Sequence, residues 1–380
     1  MKLLYCIPAL YESGGTERIV TEKINYLVEN SDHFEVIIVT TEGINKIPFY
    51  KVSPKVKIIE LNLNFLEDFQ KPLPIKVRDT QKKLNKYKTE LRRVIEQLKI
   101  DVCISTGGKE LEFLYKLKCN CKKICELHFS KYYRKQFLKA NNSGLLWTLI
   151  GNFRTWQLVK QTKTLDQLVV LTKKDKTEWR RTNSNVTQIY NFTHFSVHKE
   201  ADLNNKIVIA VGRLELQKGF DYLIDAWEKV AEKNKDWILE IYGTGSQEKE
   251  IAKKIADNNL DSYVFLKGRT EEVQKKILES SIFALSSRYE GFPMVLLESL
   301  SCGVPIVSFD CETGPNEIIE NNDCGILVEN RNVEQLAESL LTLMNNAEQR
   351  KEKGKTAKNK IKNFSKEVIM KKWMLLFKNL

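Results

Sequence analysis

The chain has 380 residues, of which 42% are hydrophobic and 29% charged, and its net charge is +12. This length predicts two domains, and the composition excludes intrinsic disorder as the main state. No apolar run reaches the roughly 18 residues of a membrane-spanning helix. The apolar run near the N-terminus is too short for a secretion signal, and eight cysteines are too few for a disulfide scaffold. We therefore expect a cytoplasmic protein with reduced thiols.

The charge is unevenly distributed along the chain. Residues 1–190 carry 34 Lys and Arg against 20 Asp and Glu, whereas residues 191–350 carry 17 against 27. Residues 351–380 are basic again, with 10 against 2. A basic half and an acidic half indicate two domains with different partners, and a basic face could meet an anionic membrane, a phosphorylated substrate or nucleic acid.

Short apolar runs alternate with segments of helical spacing along most of the chain. The predicted strands are Leu3–Ile7, Val36–Thr40, Val56–Leu61, Val102–Ser105, Ile124–Leu127, Leu168–Leu171, Ile207–Val211, Ile238–Tyr242, Val264–Leu266, Ile282–Leu285 and Ile306–Phe309. Strand–helix alternation predicts parallel sheets covered by helices, hence an α/β protein with two Rossmann-like domains. The polar segment 183–205 is the expected boundary between them.

Glycines and cations follow two of these strands. Gly14 and Gly15 lie between the first strand and a helix, where a ligand could approach the backbone; an ordinary tight turn is the alternative interpretation. Arg213 and Lys218 follow the strand Ile207–Val211 and come just before a helix. Two cations at the carboxyl end of a parallel strand suit a diphosphate, although a solvated surface pair would look the same.

Two glutamates flank a predicted helix start. Glu290 precedes Pro293, which suits a first helical turn, and Glu298 lies about two turns into the helix. The pair could bind hydroxyl groups on either side of a phosphate held at the helix N-terminus. The alternatives are a capping charge for Glu290 and a solvated helix acid for Glu298.

Seven motifs occur in a characteristic order and spacing. They are Gly14–Arg18, Glu126–His128, Gly212–Leu214, Gln217–Gly219, Glu290–Glu298, Cys302–Pro305, and Gly314–Ile319 followed by Gly325–Val328. In this combination the chain closely resembles the family 4 glycosyltransferases over nearly its whole length. One departure is the turn Gly243–Ser246, which lacks the acidic residue usual in that family.

The resemblance implies the GT-B fold, with two facing Rossmann-like domains, a deep inter-domain cleft and a C-terminal helix that crosses back to the N-terminal domain. The implied domains are 1–190 for the acceptor, 191–360 for the nucleotide sugar, and 361–380 for the returning helix. It also implies sugar transfer with retention of configuration, without a metal or other cofactor. The sequence contains no Asp-x-Asp pair for a divalent ion.

The resemblance also assigns roles to individual residues. Arg213 and Lys218 match the diphosphate-binding cations, Glu290 the acid at the donor sugar, and Glu298 the acid at the ribose. His128 matches the active-site histidine near the sugar, with a hydrogen-bonded structural histidine as the alternative. The other implied donor-binding positions are Gly14 and Gly15 over the diphosphate, Arg269 and Thr270 at the base, and Gly291, Phe292, Pro293 and Met294 at the sugar and phosphate.

Two basic segments in the first half suggest a membrane surface. No acid occurs between Glu126 and Asp166, where seven Lys and Arg alternate with aromatic residues. Residues 76–99 carry nine Lys and Arg on a helical pattern with an apolar stripe. Such segments suit an anionic bilayer or lipid phosphates. A solvated face on a core-packed helix is the alternative for 76–99, and nucleic acid is disfavoured because no motif for it appears.

These observations predict a peripheral glycosyltransferase on the cytoplasmic face of the membrane. We expect transfer of a hexose or N-acetylhexosamine, from a UDP-linked donor, to a glycan acceptor on a lipid carrier in surface polysaccharide biosynthesis. A nucleotide-sugar epimerase on the same fold and a non-catalytic nucleotide-binding protein are the rival predictions. A nicotinamide dehydrogenase is disfavoured because Gly-x-Gly-x-x-Gly is missing after the first strand.

Overall fold

The computed structural model describes residues 1–141, 144–195 and 199–380. They form two compact units, one of residues 1–131, 153–189 and 370–380, the other of residues 132–152 and 190–369. The sequence-based division at 190 placed 132–152 in the N-terminal domain, whereas here they group with the second unit. The chain re-enters the first unit at Met370, within the segment predicted to return.

A parallel sheet of seven strands forms the centre of the first unit within the described residues. The strands are β1 Lys2–Ile7, β2 Glu35–Thr40, β3 Lys57–Glu60, β4 Val102–Ser105, β5 Lys122–Leu127, β6 Gln167–Val170 and β7 Val186–Gln188. Their order across the sheet is β3-β2-β1-β4-β5-β6-β7. The central strand β1 is almost wholly buried from Leu3 to Ile7, which explains its unbroken apolar sequence.

Helices cover the sheet through apolar stripes. Those in the first half of the chain are α1 Gly15–Asn30, α2 Leu73–Leu98, α3 Leu111–Leu114, α4 Tyr133–Asn141, α5 Leu145–Thr162 and α6 Lys173–Arg180. The predicted stripe of α2, from Leu84 to Leu98, packs into the core of the first unit, with Leu98 only partly buried. The apolar face of α2 is therefore a packing surface.

Helix α4 packs against loops of the second unit. The ring of Tyr133 lies 5.9 Å from that of Tyr289, and the Gln136 amide donates a hydrogen bond to Glu312. These contacts join residues far apart in sequence, which local periodicity does not reveal. They explain why 132–152 group with the second unit although they lie between β5 and β6 in the chain.

The second unit contains a six-stranded parallel sheet within the described residues. Its strands are β8 Ile207–Val211, β9 Ile238–Tyr242, β10 Val264–Leu266, β11 Ile282–Leu285, β12 Ile306–Asp310 and β13 Gly325–Glu329, in the order β10-β9-β8-β11-β12-β13. The helices from here on are α7 Phe220–Lys233, α8 Glu248–Asp257, α9 Val273–Leu278, α10 Met294–Cys302, α11 Pro315–Ile319, α12 Val333–Asn345, α13 Ala347–Lys360 and α14 Lys366–Lys378. Strand β8 is central, so its carboxyl end lies at the point where the strand order reverses and where such sheets bind ligands.

Candidate active site

Arg213 follows β8 in a turn that is fixed by the neighbouring strand. The Gly212 amide donates to the carbonyl of Tyr242 at 3.0 Å. Gly243 has a φ of +145°, and a β-carbon there would lie only 1.9 Å from the Gly212 carbonyl oxygen. Glycine is therefore required at 243, where the turns after β8 and β9 are in close contact. Arg213, next to Gly212, is exposed at the carboxyl end of β8.

Lys218 and Glu290 form an ion pair at the same edge. The Lys218 Nζ lies 2.7 Å from Glu290 Oε1, and the Ser287 hydroxyl donates to the same oxygen at 2.6 Å. The two side chains of the pair are 16% and 8% exposed. Within the described residues Glu290 Oε2 makes no hydrogen bond, so this oxygen is available to a ligand. The site thus presents a cation and a hydrogen-bond acceptor side by side.

Backbone contacts hold the Lys218 turn and the Glu290 loop together. The Arg288 amide donates to the Gln217 carbonyl at 2.8 Å, and the Gln217 side chain donates to the Tyr289 carbonyl at 3.0 Å. Gly219 has a φ of +62°, and a β-carbon there would lie 2.1 Å from the Ser286 carbonyl oxygen. Glycine at 219 therefore allows the close approach that brings Lys218 to Glu290.

Arg288 anchors this loop and is not directed to the ligand. Its guanidinium donates two hydrogen bonds to the Asp221 carboxylate, at 2.8 and 2.6 Å, and lies 4.3 Å from the centre of the Tyr222 ring. Burial alone would lower the pKa of Arg288, but the bonds to Asp221 raise it above its ordinary value. Arg288 is therefore a structural cation, in contrast to Lys218, which contacts Glu290.

The N-terminus of α10 offers unpaired backbone N–H groups next to Glu290. Pro293 occupies the cap position, no side chain caps the helix, and its first turn carries no acid. Gly314 has a φ of +99°, and a β-carbon there would lie 2.5 Å from Pro293 Cδ. Phe292 is buried and stacks on Tyr190 at 5.2 Å, which fixes Gly291 to Met294. A helix end of this kind favours an anion such as a phosphate.

Glu298 lies on α10 and is buried, not solvated. Its Oε1 is 3.6 Å from Nε2 of His194, whose side chain is also buried. The adjoining Thr193 hydroxyl contacts the Ser301 hydroxyl at 2.8 Å, which ties this segment to α10. Sequence reasoning missed His194, because a single histidine in a polar segment without a motif gives no signal.

Arg269 and Thr270 begin the loop that follows β10. Gly268 precedes them with a φ of +68°, and its carbonyl accepts a hydrogen bond from the Gly243 amide at 2.8 Å. The loop thereby lies beside the turn that fixes Arg213. Arg269 is exposed, and the Thr270 hydroxyl accepts from the Glu272 amide at 3.0 Å.

The remaining predicted residues belong to the first unit. Gly14 precedes α1 without a side-chain cap, and the Glu17 carboxyl group folds back against it. Burial raises the pKa of Glu17. His128 lies just after β5, and its Nε2 is 3.2 Å from Glu126 Oε1. The structure thus brings Lys218, Glu290 and the start of α10 together in one unit. Gly14 and Gly15 at the start of α1 and His128 just after β5 belong to the other unit.

The described part of the chain contains no group of three or more His, Cys, Asp or Glu that could hold a metal ion. Each of the eight cysteines is a free thiol. Independence from metals stays a prediction.

Sequence comparison connects this geometry to known proteins. Residues 192–360, which contain Arg213, Lys218, Glu290 and Glu298, match the family described as Glycosyl transferases group 1. The chain is a glycosyltransferase, and its second half matches this family. This glycosyltransferase is 29% identical to an uncharacterised glycosyltransferase of Haemophilus influenzae, over 98% of both chains. It is 28% identical to the amylovoran biosynthesis glycosyltransferase AmsD of Erwinia amylovora, again over 98% of both.

Solved structures confirm the predicted fold. A crystal structure of a mutant of S. aureus TarM, in complex with Fondaparinux, alpha-GlcNAc-glycerol and UDP, matches with a TM-score of 0.77. It is 18% identical, and the match covers 99% of both chains. The α/β architecture with two Rossmann-like parallel sheets is that of the GT-B glycosyltransferases. The narrower assignment to family 4 stays a prediction.

Proposed function

We propose that this enzyme transfers a hexose or N-acetylhexosamine from a UDP-linked donor, with retention of configuration, to a lipid-linked glycan in surface polysaccharide biosynthesis. The observation that carries the proposal is the Lys218–Glu290 pair beside the uncapped start of α10. The similar structure contains UDP, and one full-length relative acts in amylovoran biosynthesis. Both support the donor and pathway class.

The reaction would depend on stabilising the departing diphosphate. Negative charge grows on the phosphate oxygen as the sugar–phosphate bond breaks, and Arg213, Lys218 and the N–H groups of α10 are donors directed at such charge. The nucleophile is a hydroxyl group of the acceptor. Glu290 Oε2 would accept a hydrogen bond from a sugar hydroxyl, since its other oxygen is held by Lys218 and Ser287.

Glu298 is proposed to bind the ribose. It lies on the same helix as the proposed phosphate site, and a carboxylate can accept hydrogen bonds from two neighbouring hydroxyls. Its buried position beside His194 limits competition from water. The loop at Arg269 and Thr270 remains the proposed position of the base.

We further propose that the enzyme binds the cytoplasmic face of an anionic membrane through α5. No helix in the described ranges is long and apolar enough to span a bilayer. Along α5, five large apolar side chains are each at least 55% exposed: Leu145, Leu146, Leu149, Phe153 and Trp156. Four of them recur every three or four residues, so they share one helix face. Such a face suits the interfacial region of a bilayer.

Basic residues favour an anionic lipid surface as the partner of this face. Arg154 and Lys160 are exposed on α5 itself, and the described residues between Glu126 and Asp166 include no acid. By contrast, α2 buries its apolar stripe, and its Lys83 is bound to Asp68 at 2.9 Å. Helix α5 is therefore a better docking element than the predicted segment 76–99.

A transfer assay tests the proposal. The protein is incubated with UDP-glucose, UDP-galactose or their N-acetyl counterparts and with bacterial polyprenyl-linked glycans, and UDP release and product are measured. We expect UDP release that requires acceptor and a product with the donor's anomeric configuration, shown by NMR. Lys218→Met should abolish transfer, and Lys249→Met on the exposed face of α8 should not. An inverted product, or UDP release that needs no acceptor, would contradict the proposal.

A further inference from the structure

The side chains of Lys23, Glu126 and His128 form a buried row of contacts in the first unit. Lys23 of α1, which is 0% exposed, donates through Nζ to Glu126 Oε2. Glu126, on β5 and 1% exposed, uses its other oxygen to contact His128 Nε2 at 3.2 Å. One carboxylate oxygen therefore accepts a hydrogen bond from a cation, and the other faces the histidine.

The carboxylate in the middle is ionised. Burial alone would raise the pKa of Glu126, but its contacts with Lys23 and His128 lower it to about 2. Lys23 is enclosed by aromatic rings, with Nζ 3.8 Å from the centre of Trp373 on α14 and 5.4 Å from that of Tyr5. These rings favour a cation at Lys23 Nζ and exclude water from the contact between Lys23 and Glu126.

The ionised carboxylate fixes the hydrogen on the histidine. Only a donor faces a carboxylate favourably, so Nε2 of His128 carries hydrogen. In the neutral ring Nδ1 is then an acceptor. Neither ring nitrogen of His128 makes a hydrogen bond within the described residues, so the 3.2 Å contact of Nε2 with Glu126 acts through charge, and the buried Nδ1 is available to a ligand. His128 lies at the carboxyl end of β5, the edge at which such sheets bind ligands. The ring thus presents a defined acceptor at that edge.

We propose that Glu126, held by Lys23, is a positioning residue that sets the tautomer and orientation of His128. The proposal rests on the proposed function, in which His128 lies at the donor sugar. Stability alone does not explain the arrangement, because well-packed apolar residues often match or exceed a buried ion pair in stability. A carboxylate that orients a functional histidine is a general device, and removing it from metal-site histidines costs about tenfold to a hundredfold.

Nitrogen NMR of histidine-labelled protein tests the tautomer directly. The chain has four histidines, so His128 is assigned by comparison with a His128→Asn variant. Glu126→Gln preserves the shape, but its amide offers either a donor or an acceptor. We expect the Nε2–H tautomer of His128 in the wild type and a mixture of tautomers in Glu126→Gln. The turnover number of Glu126→Gln should fall about tenfold or more, with the KM for the donor within about twofold.

Two further variants separate positioning from structure. Glu110 is equally buried in the first unit but contacts Ser105 and Gly108, so Glu110→Gln is the matched control. The double variant Lys23→Met with Glu126→Gln removes both buried charges. It allows the tautomer to be tested even if Glu126→Gln alone does not fold. It should show the same mixture of tautomers, whereas Glu110→Gln should keep the wild-type tautomer and turnover.

The outcomes distinguish this inference from the proposed function. An unchanged tautomer in Glu126→Gln, or an equal loss of turnover in Glu110→Gln, would overturn the positioning role. A protein that loses the tautomer preference in Glu126→Gln but transfers no sugar would support the positioning role and overturn the proposed function.

Discussion

Each unit of this enzyme contains a Lys–Glu pair, and the two pairs differ in their access to solvent. In the second unit Lys218 and Glu290 are 16% and 8% exposed, and one carboxylate oxygen is available. In the first unit Lys23 and Glu126 are 0% and 1% exposed, and the two carboxylate oxygens contact Lys23 and His128. An accessible pair can exchange its partners for a ligand, whereas a buried pair can act only on its neighbours. Under the two proposals above, similar residues serve binding in one unit and positioning in the other.

The largest expected effect is on the stability of the buried pair. Lys23→Met leaves Glu126 buried without its cation, and breaking such a pair costs about 3–5 kcal/mol. Lys218→Met should cost less, because its pair is 16% and 8% exposed and Glu290 keeps its hydrogen bond from Ser287. Unfolding in urea measures both. Equal losses in the two variants would remove the distinction between the pairs.

The next effect is on catalysis in the second unit. Arg213→Ala and Lys218→Ala should each lower turnover by about a hundredfold or more, because each removes a donor from the departing diphosphate. A chelator should leave the rate unchanged. A strict requirement for a divalent ion would contradict this account of the leaving group.

The buried carboxylate should also make stability depend on pH. Its pKa is lowered from 4.5 to about 2, so the unfolded chain takes up the proton first as the pH falls. The stabilisation, about 3 kcal/mol, is present above pH 4.5 and is lost as the pH approaches 2. Glu126→Gln should lack this component in unfolding measured between pH 5 and 2. Parallel pH profiles for the two proteins would argue against the ionised state.

A smaller effect is expected at the ribose. Glu298→Gln keeps the shape of the side chain but loses the charge of the acceptor, which should weaken UDP binding about tenfold. Calorimetry measures the change, with Glu338→Gln on the exposed face of α12 as the control. Unchanged affinity in Glu298→Gln would show that the ribose lies elsewhere.

The smallest effects concern the membrane. Arg154→Gln and Lys160→Gln on α5 should each weaken vesicle binding by about 1 kcal/mol, and binding should fall as salt rises. Replacement of Lys82 and Arg92 on α2 by Gln is the matched control, because that helix packs its apolar face inward. Sedimentation with anionic vesicles decides the matter. A loss confined to the α2 variant would restore the original prediction for 76–99.

The strands were predictable because buried parallel strands need unbroken apolar runs. The two strands that were missed are short: β7 has three residues inside a polar segment, and β13 has an apolar run of only three residues, Ile326–Val328. The helical stripe of α2 was found correctly, but its period does not distinguish the core from a lipid surface. The structure makes that distinction, because the apolar side chains along one face of α5 are exposed whereas the stripe of α2 is largely buried.

The candidate site was predictable where a motif carried it. Lys218 and Glu290 lie 72 residues apart, and only their family pattern placed them together before the structure did. His194 and Lys23 escaped notice, since their partners Glu298 and Glu126 lie 104 and 103 residues away and no local pattern marks them. The association of 132–152 with the second unit depends on similarly distant contacts.

Calorimetry of UDP binding tests the central claim that the accessible pair belongs to the diphosphate site and the buried pair does not. Wild type, Lys218→Met and Glu126→Gln are titrated under the same conditions. We expect Lys218→Met to bind UDP at least about tenfold more weakly, and Glu126→Gln to bind it within about twofold of wild type. Equal affinity in wild type and Lys218→Met, or a loss confined to Glu126→Gln, would contradict the account.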